Sequence, residues 1–289
     1  METEASRKTE SEEIRIIAED GVELFGTRFP GGDRVALLFP ALGVVRKYYD
    51  SFCRFLQARG WTVVSIDYRG IGGSLHHPIR KAPGTLLDWA TLDMDAAIGW
   101  ATQNRKPEKL VVVGHSIGAQ IMPLAPRQDR VDAFVQIAAP TPFLEAWEGF
   151  QKLKLLFFWY FLIPVNTWLW GFLPMKAFGM GENIPRRIAY QWARWGRSND
   201  YTDAEGTSLR GELSNYRGPL LNISFTDDPF YAPLRSVKRL LELYANAQKE
   251  HRHIDPKEVG SEGISHFGFF RSGACPKLWE EVAEWLEKK

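Results

Sequence analysis

Leu110-Val111-Val112-Val113-Gly114-His115-Ser116-Ile117-Gly118 is the stretch on which the reading turns. Four apolar, mostly β-branched residues have the composition of a strand buried on both faces. The five that follow spell G-x-S-x-G, a weak pattern alone because Gly and Ser are common. Its context makes it specific, since it leaves a buried strand and enters a helical segment. A serine on so tight a strand-to-helix turn needs small residues two positions either side. The helix end beneath it offers backbone N–H groups and a positive dipole to a developing oxyanion. A plain glycine-rich turn is the bland alternative.

A nucleophilic serine needs a base, and the base needs an orienting carboxylate. Of six histidines, His115 lies in the turn and should point away from Ser116. His76 and His77 fall in a turn-rich stretch, and His251 and His253 alternate in an expected last strand. His266 is the candidate base, set among small and aromatic residues in Gly263–Phe270 before the closing helix. The acid should follow the late strand at Leu220–Phe225, where Asp227 and Asp228 compete; loop geometry favours Asp228, with Asp227 as alternative. The chain order Ser116, Asp228, His266 is a known one for such triads. The N–H of Ile117 is one expected oxyanion donor. The second should come from the loop Phe39-Pro40-Ala41-Leu42-Gly43, with Leu42 preferred and Ala41 next.

Outward from this centre, apolar runs alternate with helical spacing. Glu13–Ile17 and Val22–Phe29 read as a hairpin across an Asp-Gly turn. Val35–Phe39, Trp61–Ile66, Lys109–Val113, Val131–Ala138 and Pro219–Phe225 read as buried strands. Tyr48–Gly60, Thr85–Gln103, a segment after Ser116, Pro233–Ala245 and Pro276–Lys288 read as helices. The alternation implies an α/β fold with a mostly parallel sheet and helices on both faces. It breaks once, between Ala139 and Gly218, where aromatics and arginines crowd and no strand is clear.

Three passages carry a resemblance to a known family: Gly114–Gly118, Asp67-Tyr68-Arg69-Gly70-Ile71-Gly72-Gly73-Ser74, and the late Asp and His. Together they resemble the α/β-hydrolase superfamily across most of the chain. PALGVVRKYY, DYRGIG and SHFGFFR are similar to a bacterial subgroup of predicted hydrolases. The resemblance implies an eight-stranded, mostly parallel sheet and a variable cap inserted after the sixth strand. Residues 1–140 and 219–289 would then form the core and 141–218 the cap. It implies that DYRGIGGS is structural, with Arg69 tying the loop. The sequence departs from many members in starting the oxyanion loop with Pro40-Ala41 rather than His-Gly.

Of 289 residues, 45% are hydrophobic, and 36 basic against 35 acidic side chains leave a formal charge of +1. That composition argues against a disordered chain and against a nucleic-acid partner. Two cysteines, Cys53 and Cys275, cannot build a disulfide framework or a four-cysteine zinc site. No metal or organic cofactor is expected. Met1–Glu13 lacks an apolar h-region, so a cytoplasmic location is expected. A homodimer is left open.

The 11 tryptophans are the unusual figure, and Trp147, Trp159, Trp168, Trp170, Trp192 and Trp195 all fall in the expected cap. Phe158, Trp159, Trp168 and Trp192 are the candidate substrate contacts, for a small hydrophobic or aromatic acyl substrate. Packing of the cap onto the sheet is the other reading. Arg186, Arg187, Arg194 and Arg197 should face solvent, or one or two should meet a substrate anion. Leu155–Leu173 holds no charged residue and approaches the length of a spanning helix, but Pro164, Asn166 and Gly171 interrupt it. A hydrophobic lid is expected, rather than membrane contact. The function expected is a serine hydrolase of esters or related acyl bonds. An acyltransferase on the same residues and a non-catalytic binding protein are the alternatives.

Overall fold

The computed structural model describes residues 10–103 and 106–289; the first nine residues of the polar lead Met1–Glu13 lie outside that range. Eight strands make one sheet: β1 (Glu12–Ile17), β2 (Glu23–Phe29), β3 (Arg34–Phe39), β4 (Trp61–Ile66), β5 (Lys109–His115), β6 (Ala133–Ile137), β9 (Pro219–Phe225) and β10 (Gln248–Ile254). They lie in the order β1-β2-β4-β3-β5-β6-β9-β10. The β1–β2 and β2–β4 pairs are antiparallel, and all later pairs are parallel. This is the α/β-hydrolase architecture expected from the sequence.

Burial explains why these runs are strands. In β4, β6 and β9 nearly every residue is buried, because helices cover both faces of a parallel sheet. The edge strand β10 reads QKEHRHI and stays largely in contact with solvent, where charge discourages pairing with another sheet. At the other edge, Gly21 takes a φ of +83° and turns β1 into β2, as the Asp-Gly signal predicted.

The helices depart from expectation in detail. The segment after Ser116 is helical only over Ile117–Gln120, because Pro123 soon denies it an N–H. The helix expected at 85–103 starts on a capping box between Thr85 and Asp88, then widens to π geometry over Trp89–Met94 before Asp95–Gln103. The stretch expected to lack strands contains two short ones, β7 (Phe172–Leu173) and β8 (Ile184–Pro185), paired with each other.

The DYRGIGGS turn is a hydrogen-bonded knot. Asp67 accepts from the backbone N–H groups of Arg46 (2.7 Å) and Gly73 (2.9 Å) and pairs with the Arg46 guanidinium. Gly72 stands so near Asp67 that a Cβ there would lie 2.5 Å from the carboxylate. Arg69 donates through Nε to the buried Asp93 (2.7 Å) and through its terminal nitrogens to Asp20 (2.6 and 3.1 Å). Removing one partner from a buried pair leaves an uncompensated charge, which costs far more than the pair itself contributes. Asp93→Ala should therefore lower unfolding free energy by about 3 kcal/mol, read from urea denaturation; a change of a few tenths would show that Asp20 alone satisfies Arg69.

Candidate active site

The site forms where β3, β5 and two late loops end together. Ser116 takes a φ of +51° and ψ of −115°, a strained conformation for a residue with a side chain. Its neighbours permit the turn. A Cβ on Gly118 would fall 2.3 Å from the Phe39 carbonyl oxygen, and one on Gly114 would fall 2.7 Å from Ala119 Cα. Gly118 thus lets the serine turn press against the end of β3 and the loop after it, and Gly114 lets the strand pass close to the helix that follows. Beneath it, Tyr244 Oη lies 2.7 Å from the carbonyl of Ala119 and 2.8 Å from that of Gln120.

The loop after β9 and the loop before the last helix meet at the other side. Asp228 Oδ2 lies 2.7 Å from His266 Nδ1, and both side chains are buried. The ring nitrogen donates, so Nε2 keeps its lone pair. Asp227 has a different partner: its Oδ2 accepts from the backbone N–H of Ile264 (2.8 Å) and Ser265 (2.9 Å). Two adjacent aspartates therefore divide the work, one gripping the imidazole and the other the loop that carries it. Ser265 takes a φ of +51° within that grip. Tyr231 stacks on the imidazole at 4.9 Å, and its N–H reaches Asp228 Oδ1 at 3.2 Å. No hydrogen bond joins Ser116 Oγ to His266 in this conformation, but both line one cavity.

His115, adjacent to the serine, points into the core as expected. Its two ring nitrogens have different partners, which sets the tautomer. The His266 carbonyl, 2.9 Å away, can only accept, so Nε2 carries the proton. Nδ1 then accepts from Tyr49 O–H at 2.8 Å, and the Tyr49 oxygen accepts the Ala41 N–H at 2.8 Å. One hydrogen-bond chain ties the loop after β3, the serine turn and the histidine loop. It also sets apart the two backbone N–H groups weighed in Pro40–Gly43. Ala41 N–H is occupied, whereas those of Leu42 and Ile117 are unpaired among the described residues, and both residues line the cavity. The Leu42 loop is held from above as well, by the Glu182 N–H on the Gly43 carbonyl at 2.7 Å.

The cavity measures about 330 Å³. Pro140, Pro142, Leu155, Leu162, Met175 and Phe230 are among the apolar residues that line it, with Gln120, Thr141 and Lys154 as polar points. Phe158, Trp159 and Trp192 line it as the sequence suggested. Trp168 does not: it is 76% exposed and lies outside the cavity. The helix turns it outward, since the buried positions there are Trp159, Ile163 and Thr167, one every four residues. Trp147 also lines the cavity, and Trp195 is buried with its Nε1–H on the Thr202 carbonyl at 2.8 Å. The aromatic excess therefore splits three ways, into cavity wall, core and solvent.

The insert arginines lie away from the cavity. Arg194 donates to the carbonyls of Thr202 and Ala204, Arg197 donates to that of Trp159, and Arg186 and Arg187 are exposed. His251 and His253 share Ser224 Oγ in the sheet, and His76 and His77 are exposed. Sequence reasoning missed Tyr49, Tyr231 and the loop-holding part of Asp227. No short motif marks them, because each touches a group at least 35 positions away in the chain.

An alpha/beta hydrolase family model matches residues 36–271. The chain belongs to the alpha/beta hydrolase family. Among solved structures, this alpha/beta hydrolase is similar to the esterase Pf2001 of Pyrococcus furiosus, at 18% identity and a TM-score of 0.63, covering 99% of this chain and 95% of that one. It is similar to the esterase EaEST of Exiguobacterium antarcticum, at 17% identity and a TM-score of 0.59, covering 94% and 98%. A thioesterase domain from the curacin biosynthetic pathway aligns at 13% identity and a TM-score of 0.55, covering 97% and 100%. At such identities the likeness is one of fold. No curated protein sequence matches the chain.

Complete burial holds the His115 ring neutral, well below its ordinary pKa of 6.5, and the facing His266 adds to the effect. The unfolded chain takes a proton at His115 below about pH 6.5 while the folded one does not. Stability is thus fully present above that pH and is lost as pH falls. Against a His115→Gln variant, the wild type should lose up to about 1.4 kcal/mol per pH unit below 6.5. Parallel stability curves for the two proteins would show that the ring titrates alike in both states.

Proposed function

We propose that this hydrolase is a serine esterase acting on hydrophobic acyl substrates through an acyl-enzyme. The observation that carries the proposal is a convergence on one apolar cavity. Ser116 on its strained turn, Leu42 and Ile117 with their unpaired backbone N–H groups, and His266 with its carboxylate-held imidazole all line it.

In this mechanism Ser116 Oγ attacks the acyl carbon as His266 Nε2 takes its proton. The carbonyl oxygen becomes an oxyanion and accepts hydrogen bonds from the Ile117 and Leu42 N–H groups, which cost no reorganisation because they are already unpaired. The tetrahedral intermediate collapses, and His266 returns the proton to the departing alkoxide. Water, deprotonated by the same nitrogen, then attacks the acyl-enzyme, and the acid leaves as the acyl bond to Ser116 Oγ breaks and that oxygen takes the proton back from His266. Asp228 keeps the imidazole in the tautomer that leaves Nε2 free and stabilises the imidazolium. Asp227 positions the loop. The apolar wall formed by Leu155, Phe158, Trp159 and Trp192 suits an alkyl or aryl acyl group. The esterase and thioesterase neighbours agree with this reaction class.

Ser116→Ala should reduce hydrolysis of a p-nitrophenyl ester to background without loss of fold. Asp228→Asn should cost about 10⁴-fold in kcat, because the wrong tautomer is held. Asp227→Asn removes support from a loop rather than from the ring, and should cost only about tenfold, the scale of one charge-assisted hydrogen bond. Equal losses at the two aspartates would refute their division of labour. Unchanged turnover in Ser116→Ala would sink the proposal. Product analysis with added alcohols or thiols separates hydrolysis from acyl transfer on the same acyl-enzyme.

A further inference from the structure

The helix Gly149–Trp170 carries two apolar faces, and only one has a partner. Trp159, Ile163 and Thr167 face inward, with Trp159 meeting Trp192 edge-on at 4.5 Å. Outward, Phe150, Leu153, Phe157, Tyr160 and Phe161 form a stripe at helical spacing, each more than half exposed, and Trp168, Leu169 and Trp170 extend it. Only 17% of the most apolar window in this helix is buried. Exposed patches of this kind on a soluble fold mark an interaction surface.

We propose that this face docks on an anionic lipid bilayer and lies in its interface, with the cavity mouth turned toward the lipid. Three observations select that occupant. First, residues 149–180 contain three lysines, Lys152, Lys154 and Lys176, and no acidic residue. Lys176 pairs with Glu182 at the margin, while Lys152 and Lys154 take no salt bridge among the described residues. Acidic groups near the patch sit at its edges, with Glu148 paired to Arg235. A basic, acid-free apolar face complements anionic headgroups.

Second, the stripe runs into the cavity. Phe157 and Lys154 belong to both the outer face and the cavity lining, and Met180, Phe230 and Tyr231 are partly exposed around the same opening. A second copy of this chain seated there would cover that opening. A lipid surface would instead supply it with apolar molecules. Third, Tyr160, Trp168 and Trp170 are amphipathic rings of the kind that settle at headgroup depth.

Spanning is disfavoured although the helix has 22 residues and its most apolar 18-residue stretch has a mean hydropathy of 1.2. Crossing the bilayer would strip Trp159, Ile163 and Thr167 from their packing, whereas lying in the interface needs no rearrangement. Docking does not depend on the esterase reading, so its test uses full-length protein with Ser116→Ala, in which no turnover occurs. The protein should co-sediment with phosphatidylcholine vesicles containing phosphatidylglycerol and less with phosphatidylcholine alone. Its tryptophan emission should shift to the blue.

Replacing Phe150, Leu153 and Trp168 together by Ser should weaken vesicle binding by about tenfold or more. None of the three lines the cavity, so hydrolysis of a soluble p-nitrophenyl ester by the Ser116-containing triple variant should stay unchanged. Lys152→Glu should weaken binding to anionic vesicles selectively. Equal binding by wild type and triple variant, or no binding to anionic vesicles, overturns the proposal. A concentration-dependent dimer abolished by the triple substitution, without vesicle binding, would assign the face to a second copy instead. Loss of ester hydrolysis in Ser116→Ala with no vesicle binding would leave the esterase standing and docking refuted.

Discussion

The close approach of Gly118 to the chain at Phe39 and Pro40 is the constraint on which the site rests. No side chain fits between them. Because β3 and β5 are parallel neighbours, their ends come out on the same side of the sheet. The missing Cβ lets the serine turn sink onto the loop after β3. Leu42, in the loop after β3, and Ile117, in the turn after β5, then line the same cavity. Backbone donors held this way are aimed before substrate arrives, which is what oxyanion stabilisation requires.

The second level of organisation is the buried chain Ala41–Tyr49–His115–His266. It joins three loops that come from different parts of the sequence through hydrogen bonds of 2.8 to 2.9 Å. A phenol and a neutral imidazole can pass polarity along such a line because each both donates and accepts. Its direction is forced by its ends, an amide N–H and a carbonyl. By occupying Ala41 N–H it leaves Leu42 as the unpaired donor. Asp227 works in parallel by pinning the histidine loop. A glycine contact and two hydrogen-bonded anchors thus hold together the loops that carry Ser116, Leu42 and His266.

The insert between β6 and β9 adds a surface rather than more of the same core. Its inward aromatics close the cavity, and its outward ones continue past the rim. An esterase with an apolar cavity meets a supply problem, because hydrophobic esters are scarce in water and abundant in lipid. An outward apolar face carrying lysines would bring the opening to where such molecules collect. The same helix would then serve the substrate on one side and the interface on the other.

Composition and local pattern determined much of this protein. Buried, mostly β-branched runs specify strands covered on both faces, which the helical segments alternating with them can supply. Gly114–Gly118 located the proposed nucleophile, since so tight a turn tolerates few residue types. His266 stood out because little else in its loop carries chemistry. What distinguishes Asp228 from Asp227 is whether the side chain reaches the imidazole or the backbone of the loop that carries it, and adjacent positions carry no such information locally. Which of the Leu42 and Ala41 N–H groups is left unpaired depends on Tyr49, a residue with no motif. Trp168 and Trp159 belong to one aromatic run, and only the packing of their helix sends one outward and the other into the cavity. Sequence periodicity names the faces of a helix. Which face is covered depends on neighbours distant in the chain, and only the tertiary structure supplies them.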